Sequence, residues 1–117
     1  MGKARPIIDI PWGWRSMWVI AMFDLPTDTP NARKAYSQFR KTLLEDGFTM
    51  MQYSVYIRHC ASAESAEVHM KRVEKLIPQK GHVSIIKVTD KQYGDIVNFW
   101  GKKSSPLIET PAQLEIF

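Results

Sequence analysis

One acidic residue, Asp24, closes an unbroken apolar run, and its carboxylate is the first group to consider for chemistry. The run from Trp18 to Phe23 is too short for a helix, and Pro26 would stop one, so it predicts a central strand covered on both faces. An ionisable group at the end of such a strand lies at the rim where open sheets bind ligands. An Asp in this position is also an ordinary turn former or helix cap, and this alternative stays open.

The other side chains that could take part in chemistry are scattered along the chain. His59, His69 and His82 fall on a predicted strand end, a helix face and a loop, so we expect structural or solvated histidines rather than a general base. Cys60 is the only cysteine. A single cysteine excludes a disulfide framework and a cysteine-based metal cluster, and it fits a reduced, cytoplasmic setting.

The composition is that of one globular domain of 117 residues, 44% of them hydrophobic and 24% charged. Sixteen Lys and Arg against twelve Asp and Glu give a net charge of +4, which permits a polyanionic partner without requiring one. No apolar run approaches the ~20 residues of a membrane-spanning helix, and the N-terminus lacks the apolar segment of a signal peptide. We therefore expect a cytoplasmic protein with no membrane segment.

A basic helix is predicted directly after the first strand. Asp28 or Thr29 suits the N-cap, Pro30 suits the first helical position, and Gly47 is expected to end the helix. Its apolar positions have helical spacing: Ala32, Ala35, Tyr36, Phe39 and Leu43. Four cations share a neighbouring arc: Arg33, Lys34, Arg40 and Lys41. A solvated face is the usual explanation of such a stripe, but four neighbouring cations also suit a phosphate backbone.

Residues 48–59 are rich in aromatic and β-branched side chains, as strands are. Apolar and more polar positions alternate, with Met51, Tyr53, Val55 and Ile57 on one face and Gln52, Ser54, Tyr56 and Arg58 on the other. Whether this segment is one bent strand or two strands stays open. A second helix is expected from the Ser62 cap, with apolar positions up to Ile77, an end at Pro78, and Glu67 paired with Lys71 on its surface.

The last part of the domain is predicted to hold a strand after Gly81, a turn or short helical step at 89–94, and a further strand over 96–100. Residues 102–106 are expected to be a polar linker, and the apolar tail 114–117 suits addition to the sheet of another subunit. Residues 1–16 are expected to form an extended arm. The domain itself should span 17–101, with 102–117 as linker and exchanged strand.

This order of elements predicts an α+β sandwich of the ferredoxin-like βαββαβ type with an additional C-terminal strand. Two helices would cover one face of an antiparallel sheet. The other face would be left apolar and exposed, and a two-fold homodimer that stacks two such faces would cover it.

The chain resembles the CRISPR-associated protein 2 family from about Met17 to Gly101. The resemblance rests on the strand and turn Trp18–Thr27, the basic helix after it, Gly47-Phe48, the segment Gln52–Tyr56 and the turn Thr89–Tyr93. The aspartate-leucine-proline-threonine form of the first turn is similar to members found in type II systems.

The resemblance implies a ferredoxin-like fold and a two-fold dimer whose C-terminal strand crosses to the partner. It further implies a role in spacer acquisition, in which the dimer lies between two dimers of the integrase, CRISPR-associated protein 1, and holds double-stranded DNA. Members are also assigned metal-dependent endonuclease activity on RNA or DNA, centred on the aspartate that matches Asp24. Here Phe23 replaces the family's strand-end tyrosine, and Thr49, Met50 and Met51 stand where a basic residue is common, departures that weaken the nuclease interpretation.

Two main hypotheses arise from these residues. The favoured one is a non-catalytic scaffold that binds DNA phosphates through five residues: Arg15, Arg33, Lys34, Arg40 and Arg58. The alternative is an endonuclease that uses Mg²⁺ or Mn²⁺ between paired Asp24 side chains, because Mg²⁺ is commonly held by one or two carboxylates plus waters. A small-ligand or regulatory ferredoxin-like module without nucleic acid is the third possibility.

Overall fold

A computed structural model describes residues 16–105, with side chains described as far as residue 102. The elements are β1 (Met17–Asp24), α1 (Pro30–Glu45), β2 (Thr49–Gln52), β3 (Val55–Cys60), α2 (Ala63–Lys75), β4 (His82–Thr89), α3 (Asp90–Gly94), β5 (Asn98–Trp100) and β6 (Lys103–Ser105). Arg15, most of the predicted arm and the tail 114–117 lie outside the described residues. None of the helices described here combines the length and apolar composition needed to cross a bilayer.

Four antiparallel strands form the main sheet in the order β2-β3-β1-β4. The predicted central strand is confirmed, because β1 pairs with β3 from Met17 opposite Cys60 and with β4 from Met17 opposite Thr89. With two long helices interleaved between the strands, this is the expected ferredoxin-like α+β architecture.

The two faces of β1 enter two different cores, as the two-residue period of a strand requires. Met17, Val19, Ala21 and Phe23 face α1 and α2 and form the larger core with residues such as Phe39. The opposite, outer face carries a smaller core of Trp18, Ile20, Ile57 and Tyr93. An apolar strand with both faces covered therefore accounts for the unbroken run in the sequence.

Helix α1 begins where the sequence indicates. The Thr29 hydroxyl accepts a hydrogen bond from the Ala32 N–H at 3.0 Å, and Pro30 is the first helical residue. Asp46 is the C-cap, and Gly47 comes after it with a φ of +91°, a left-handed conformation that glycine adopts at little cost. The buried face is narrower than predicted, since Ala35 is exposed.

Residues 48–59 form two strands, which settles the alternative that the sequence left open. A turn at Tyr53 and Ser54 separates β2 from β3, and Ser54 has a φ of 61°. The two-residue alternation holds, because Met51, Val55 and Ile57 all pack in the smaller core, but the helices cover the other face of β3, so the assignment of Tyr56 to a polar face is wrong. Tyr56 is only 1% exposed and belongs to the helix-side core.

Helix α2 starts after the predicted Ser62 cap but ends at Lys75, not at Pro78. The residue before a proline avoids helical geometry, and Ile77, assigned to the buried face, is 39% exposed. The expected Glu67 and Lys71 pair is also replaced. Glu67 instead binds Lys87 of β4 at 2.5 Å, which ties α2 to the edge of the sheet.

The C-terminal part differs most from expectation. The strand predicted over 96–100 begins at Asn98, and the predicted linker 102–106 contains β6, which pairs with β5 as a separate hairpin. Gly101 turns the chain with a φ of +70°. Ile96 does not extend the strand, because its N–H donates to the Tyr93 carbonyl at 3.1 Å and its side chain packs against the smaller core.

The outer face of the sheet is only partly exposed. The short helix α3 covers one end of it, where Tyr93 stacks on Trp18 with ring centroids 3.8 Å apart. Toward the other end, Met22 and Ile86 are 37% and 46% exposed. The predicted exposed apolar face is therefore reduced to this second half.

Candidate nucleic-acid interface and the Asp24 rim

Asp24 is the last residue of β1, exposed, and on the outer face of the sheet by strand alternation. His82 of β4 lies directly opposite it in the ladder. Gly81 holds this end together: a Cβ there would come within 2.9 Å of the Asp24 carbonyl oxygen, and its φ is +104°. Only glycine lets the chain close this tightly, so the position of Asp24 is fixed by backbone packing. We call this end of the sheet, Asp24 with His82, the Asp24 rim.

One chain supplies a single carboxylate at the Asp24 rim. Asp28, the nearby acid in the sequence, lines a groove of about 480 Å³ on the helix side together with Tyr36. No cluster of three or more His, Cys, Asp or Glu side chains suited to a metal occurs within residues 16–102. Because Mg²⁺ is commonly held by one or two carboxylates with waters completing its shell, a single Asp24 supplies the minimum for such a site, and Asp24 of a second chain would supply the other carboxylate.

The three histidines have distinct surroundings. His69 is 7% exposed, and its Nδ1 lies 2.7 Å from Asp46 Oδ2, while His59 packs edge-on against Trp18 at 4.9 Å. Both serve packing, as the sequence indicates. His82 was assigned to a loop but begins β4, with its Nε2 3.3 Å from Ser84 Oγ. The position of Gly81 was the signal that could have placed it at the strand start.

The basic stripe, defined as Arg33, Lys34, Arg40 and Lys41, is exposed along α1. Arg33 Nη1 donates to the Thr27 carbonyl at 3.1 Å, and Arg40 Nε donates to the Tyr56 hydroxyl at 2.7 Å. These bonds hold the two guanidinium groups while leaving their other N–H groups at the surface. Within residues 16–102, none of the four cations forms an ion pair. Among the side chains that the structure describes, the stripe therefore offers positive charge that no ion pair offsets.

Arg58 lies apart from the basic stripe. It is half-buried, and its guanidinium donates to the carbonyl oxygens of Asp46 and His59, each at 2.7 Å. The bond to Asp46 satisfies a carbonyl at the C-terminal end of α1, as basic side chains often do. These hydrogen bonds give Arg58 a structural role that needs no ligand. Arg33, Lys34 and Arg40 keep the exposure that phosphate binding needs.

Tyr53 at the β2–β3 turn forms an aromatic pair with Tyr36, which the sequence pattern did not predict. The pattern predicts Tyr53 on the apolar face of a strand. Tyr53 is 74% exposed and stacks on Tyr36 of α1, with ring centroids 6.3 Å apart and an interplanar angle of 21°. The hydroxyl of Tyr36 raises the pKa of Tyr53. The sequence motifs do not indicate this pair, because the pairing depends on the exact position of the turn between β2 and β3.

Comparison with known proteins places the chain among CRISPR-associated proteins. The family model of CRISPR associated protein Cas2 matches residues 17–96. A protein named CRISPR-associated endoribonuclease Cas2 from Parvibaculum lavamentivorans is 63% identical over 101 residues, which cover 86% of this chain and 100% of that protein. Proteins of the same name from Flavobacterium psychrophilum and Paracidovorax avenae are 49% and 42% identical to this chain. The two matches cover 89% and 90% of this chain, and 90% and 97% of the respective relatives.

The matched residues run from the first residue of β1 to the segment just after α3, so they contain the whole four-stranded sheet, the basic stripe and Asp24. The matches carry no information on the CRISPR subtype, and the likeness to type II members stays a prediction. The family itself is supported by the model match and by relatives of high identity along nearly their full length. The chain therefore belongs to the CRISPR associated protein Cas2 family.

Proposed function

We propose that this chain serves spacer acquisition as a dimeric scaffold, which holds a DNA duplex on its basic stripe between dimers of the CRISPR-associated integrase. The observation that carries the proposal is the exposure of four cations on one arc of α1 without acidic partners among the described side chains. Such a surface binds phosphates by releasing counterions and does not read sequence. Spacer acquisition of this kind would take place in the cytoplasm, where the DNA is located.

The homodimer is supported by the apolar patch of Met22 and Ile86 on the outer face, at the half that α3 does not cover. Exposed apolar positions next to one another on a sheet face are typical of an interface. A two-fold axis through this patch would bring two Asp24 rims near each other, because Met22 is two residues from Asp24 on the same face.

A metal-dependent endonuclease is the second candidate, and the names of the relatives, endoribonuclease, favour it as strongly as the geometry favours the scaffold. Asp24 from each protomer would hold Mg²⁺ or Mn²⁺ together with waters. Such an ion, when bound, lowers the pKa of a water and stabilises charge on a phosphate. The chain's own contribution is the rigid placement of Asp24 by Gly81.

The substitution Asp24→Asn separates the two candidates, with Asp28→Asn as the matched control on the helix side. Each variant would be purified with the integrase and tested for spacer integration and, alone with Mg²⁺ or Mn²⁺, for cleavage of RNA and DNA. The scaffold is supported if integration survives in Asp24→Asn. Cleavage by the wild type that is lost in Asp24→Asn but kept in Asp28→Asn would establish the endonuclease, and loss of integration in Asp24→Asn alone would contradict a purely passive scaffold.

A further inference from the structure

The turn between β2 and β3 is fixed against the end of β1. Ser54 takes a φ of 61°, a left-handed conformation that is uncommon for a residue other than glycine. The backbone N–H of Phe23 donates to the Ser54 carbonyl at 3.0 Å. Tyr53, the other residue of this turn, is therefore displayed at the same end of the sheet as Asp24.

The Tyr53 ring has a rigid support on one side and solvent on the other. Tyr36 stacks beneath it, and Tyr36 is itself held by its hydroxyl, 3.3 Å from Ser54 Oγ, and by edge-on packing against Phe23 at 5.9 Å. With 74% of its surface exposed, Tyr53 adds little apolar burial to the fold. Its placement is thus not explained by the core.

Cations flank this aromatic pair. Arg33 and Arg40 stand three residues before and four residues after Tyr36, so all three lie on one row of α1. Both guanidinium groups are anchored, to the Thr27 carbonyl and to the Tyr56 hydroxyl. An exposed ring stacked on the same row of α1 as two fixed cations matches the two parts of a nucleotide, a base that stacks and a phosphate that carries charge.

We propose that Tyr53 is a stacking platform for one unpaired nucleobase, whose neighbouring phosphates lie on Arg33 and Arg40. A paired base inside a duplex cannot offer its face to the ring, so the ligand is an unpaired nucleotide: the single-stranded end of a DNA duplex or a single-stranded RNA. The inference rests on the proposed function only in that it uses the same basic stripe, and it adds the recognition of an unpaired end.

The test compares binding of labelled probes by fluorescence anisotropy. The probes are a blunt DNA duplex, the same duplex with a short single-stranded overhang, that overhang made abasic, and a single-stranded RNA. Base stacking on an aromatic side chain contributes about 1 to 3 kcal/mol, or roughly 5- to 150-fold in affinity. We expect the wild type and Tyr53→Phe to prefer the overhang or the RNA by such a factor, and the abasic overhang to lose the preference.

Tyr53→Ala and Tyr53→Leu should bind the blunt duplex as the wild type does but lose this preference, since leucine keeps an apolar side chain without a stacking face. Preference for the DNA overhang identifies duplex ends as the source of the ligand, and preference for RNA alone identifies RNA. The inference is overturned if the wild type has no preference for either unpaired probe, or if Tyr53→Ala and Tyr53→Leu retain it. Weak, salt-independent binding of the blunt duplex would instead refute the scaffold. Thermal melting of each variant checks its fold.

Discussion

The backbone N–H of Phe23 donates to the carbonyl of Ser54 at 3.0 Å and so joins the strand end that carries Asp24 to the turn that carries Tyr53. This bond brings Tyr53 to the same end of the sheet as the Asp24 rim, although the two come from separate parts of the sequence. Because Gly81 closes against the same strand end from the β4 side, the rim is fixed from both directions. If nucleic acid binds here, as we propose, a preformed rim avoids the entropic cost of ordering this end of the sheet.

The buried hydroxyl of Tyr93 has no hydrogen-bond partner among the described residues. Removing an unpaired buried hydroxyl relieves a desolvation cost, so Tyr93→Phe should leave the free energy of unfolding at pH 7 unchanged or raise it by up to about 1 kcal/mol. Stacking on Trp18 survives this substitution. Urea denaturation measures the effect, and a loss of more than about 1 kcal/mol would mean that the hydroxyl is bonded in the assembled protein.

The same residue should make stability sensitive to alkali. Burial, and to a lesser extent the Asp90 carboxylate, raises the pKa of Tyr93 from 10.0 to about 12. The folded state favours the neutral phenol over the phenolate. The stability that Tyr93 contributes through this preference is therefore complete below pH 10 and is lost as the pH rises toward 12. Relative to Tyr93→Phe, the wild type should lose stability across this window in urea melts at stepped pH. Parallel pH profiles of the two proteins would contradict the assignment.

Asp46 links the two long helices, because its carboxylate binds His69 at 2.7 Å and Arg72 at 2.8 Å. Asp46→Ala leaves the buried His69 ring without its partner, and we expect a loss of about 2 to 3 kcal/mol in the free energy of unfolding. Asp95→Ala is the control, since it removes an exposed pair with Lys91 and should cost less than about 0.5 kcal/mol. Equal losses in the two variants would show that the Asp46 contacts add nothing.

The exposed half of the outer sheet face should carry the dimer contact. Ile86→Glu places a charge in this patch and should make the protein a folded monomer with an unchanged circular dichroism spectrum, as sedimentation and circular dichroism would measure. Val68→Glu is a matched control, because Val68 is similarly exposed on α2 at 47%. Dimerisation that survives Ile86→Glu would place the interface elsewhere.

Local signals in the sequence located most of the fold. The apolar run, the Thr29 and Ser62 caps and Gly47 gave β1, both long helices and the central strand position correctly. The errors arose where burial and pairing depend on contacts between distant segments, as in the β5–β6 hairpin and the second face of β3. Tyr56 enters the core because the helices cover its face of β3, and Tyr53 reaches the surface because it lies in the turn. Strand alternation alone does not tell whether a face will be covered or where a turn will fall.

The candidate site was predictable to the extent that it depends on one element. Helical spacing placed Arg33, Lys34 and Arg40 on one exposed arc, and the end of an apolar strand placed Asp24 at a rim. Contacts between distant segments were not predictable. The register that sets His82 opposite Asp24 and the bonds that commit Arg58 to the end of α1 arise from strand pairing and helix packing, which no motif encodes.

The central claim is that the basic stripe binds nucleic-acid phosphates, and the affinity of the double variant Arg33→Glu, Lys34→Glu for a blunt duplex as a function of salt tests it most directly. Lys71→Glu, Lys75→Glu on α2 changes the net charge equally and is the control. Each phosphate contact contributes a slope of about 0.9 in log K against log salt concentration. We expect the α1 variant to lose at least about tenfold in affinity and about two units of slope for each protomer that contacts the duplex, and the α2 variant to bind like the wild type. Unchanged binding by the α1 variant, or the same loss in both, would contradict the account.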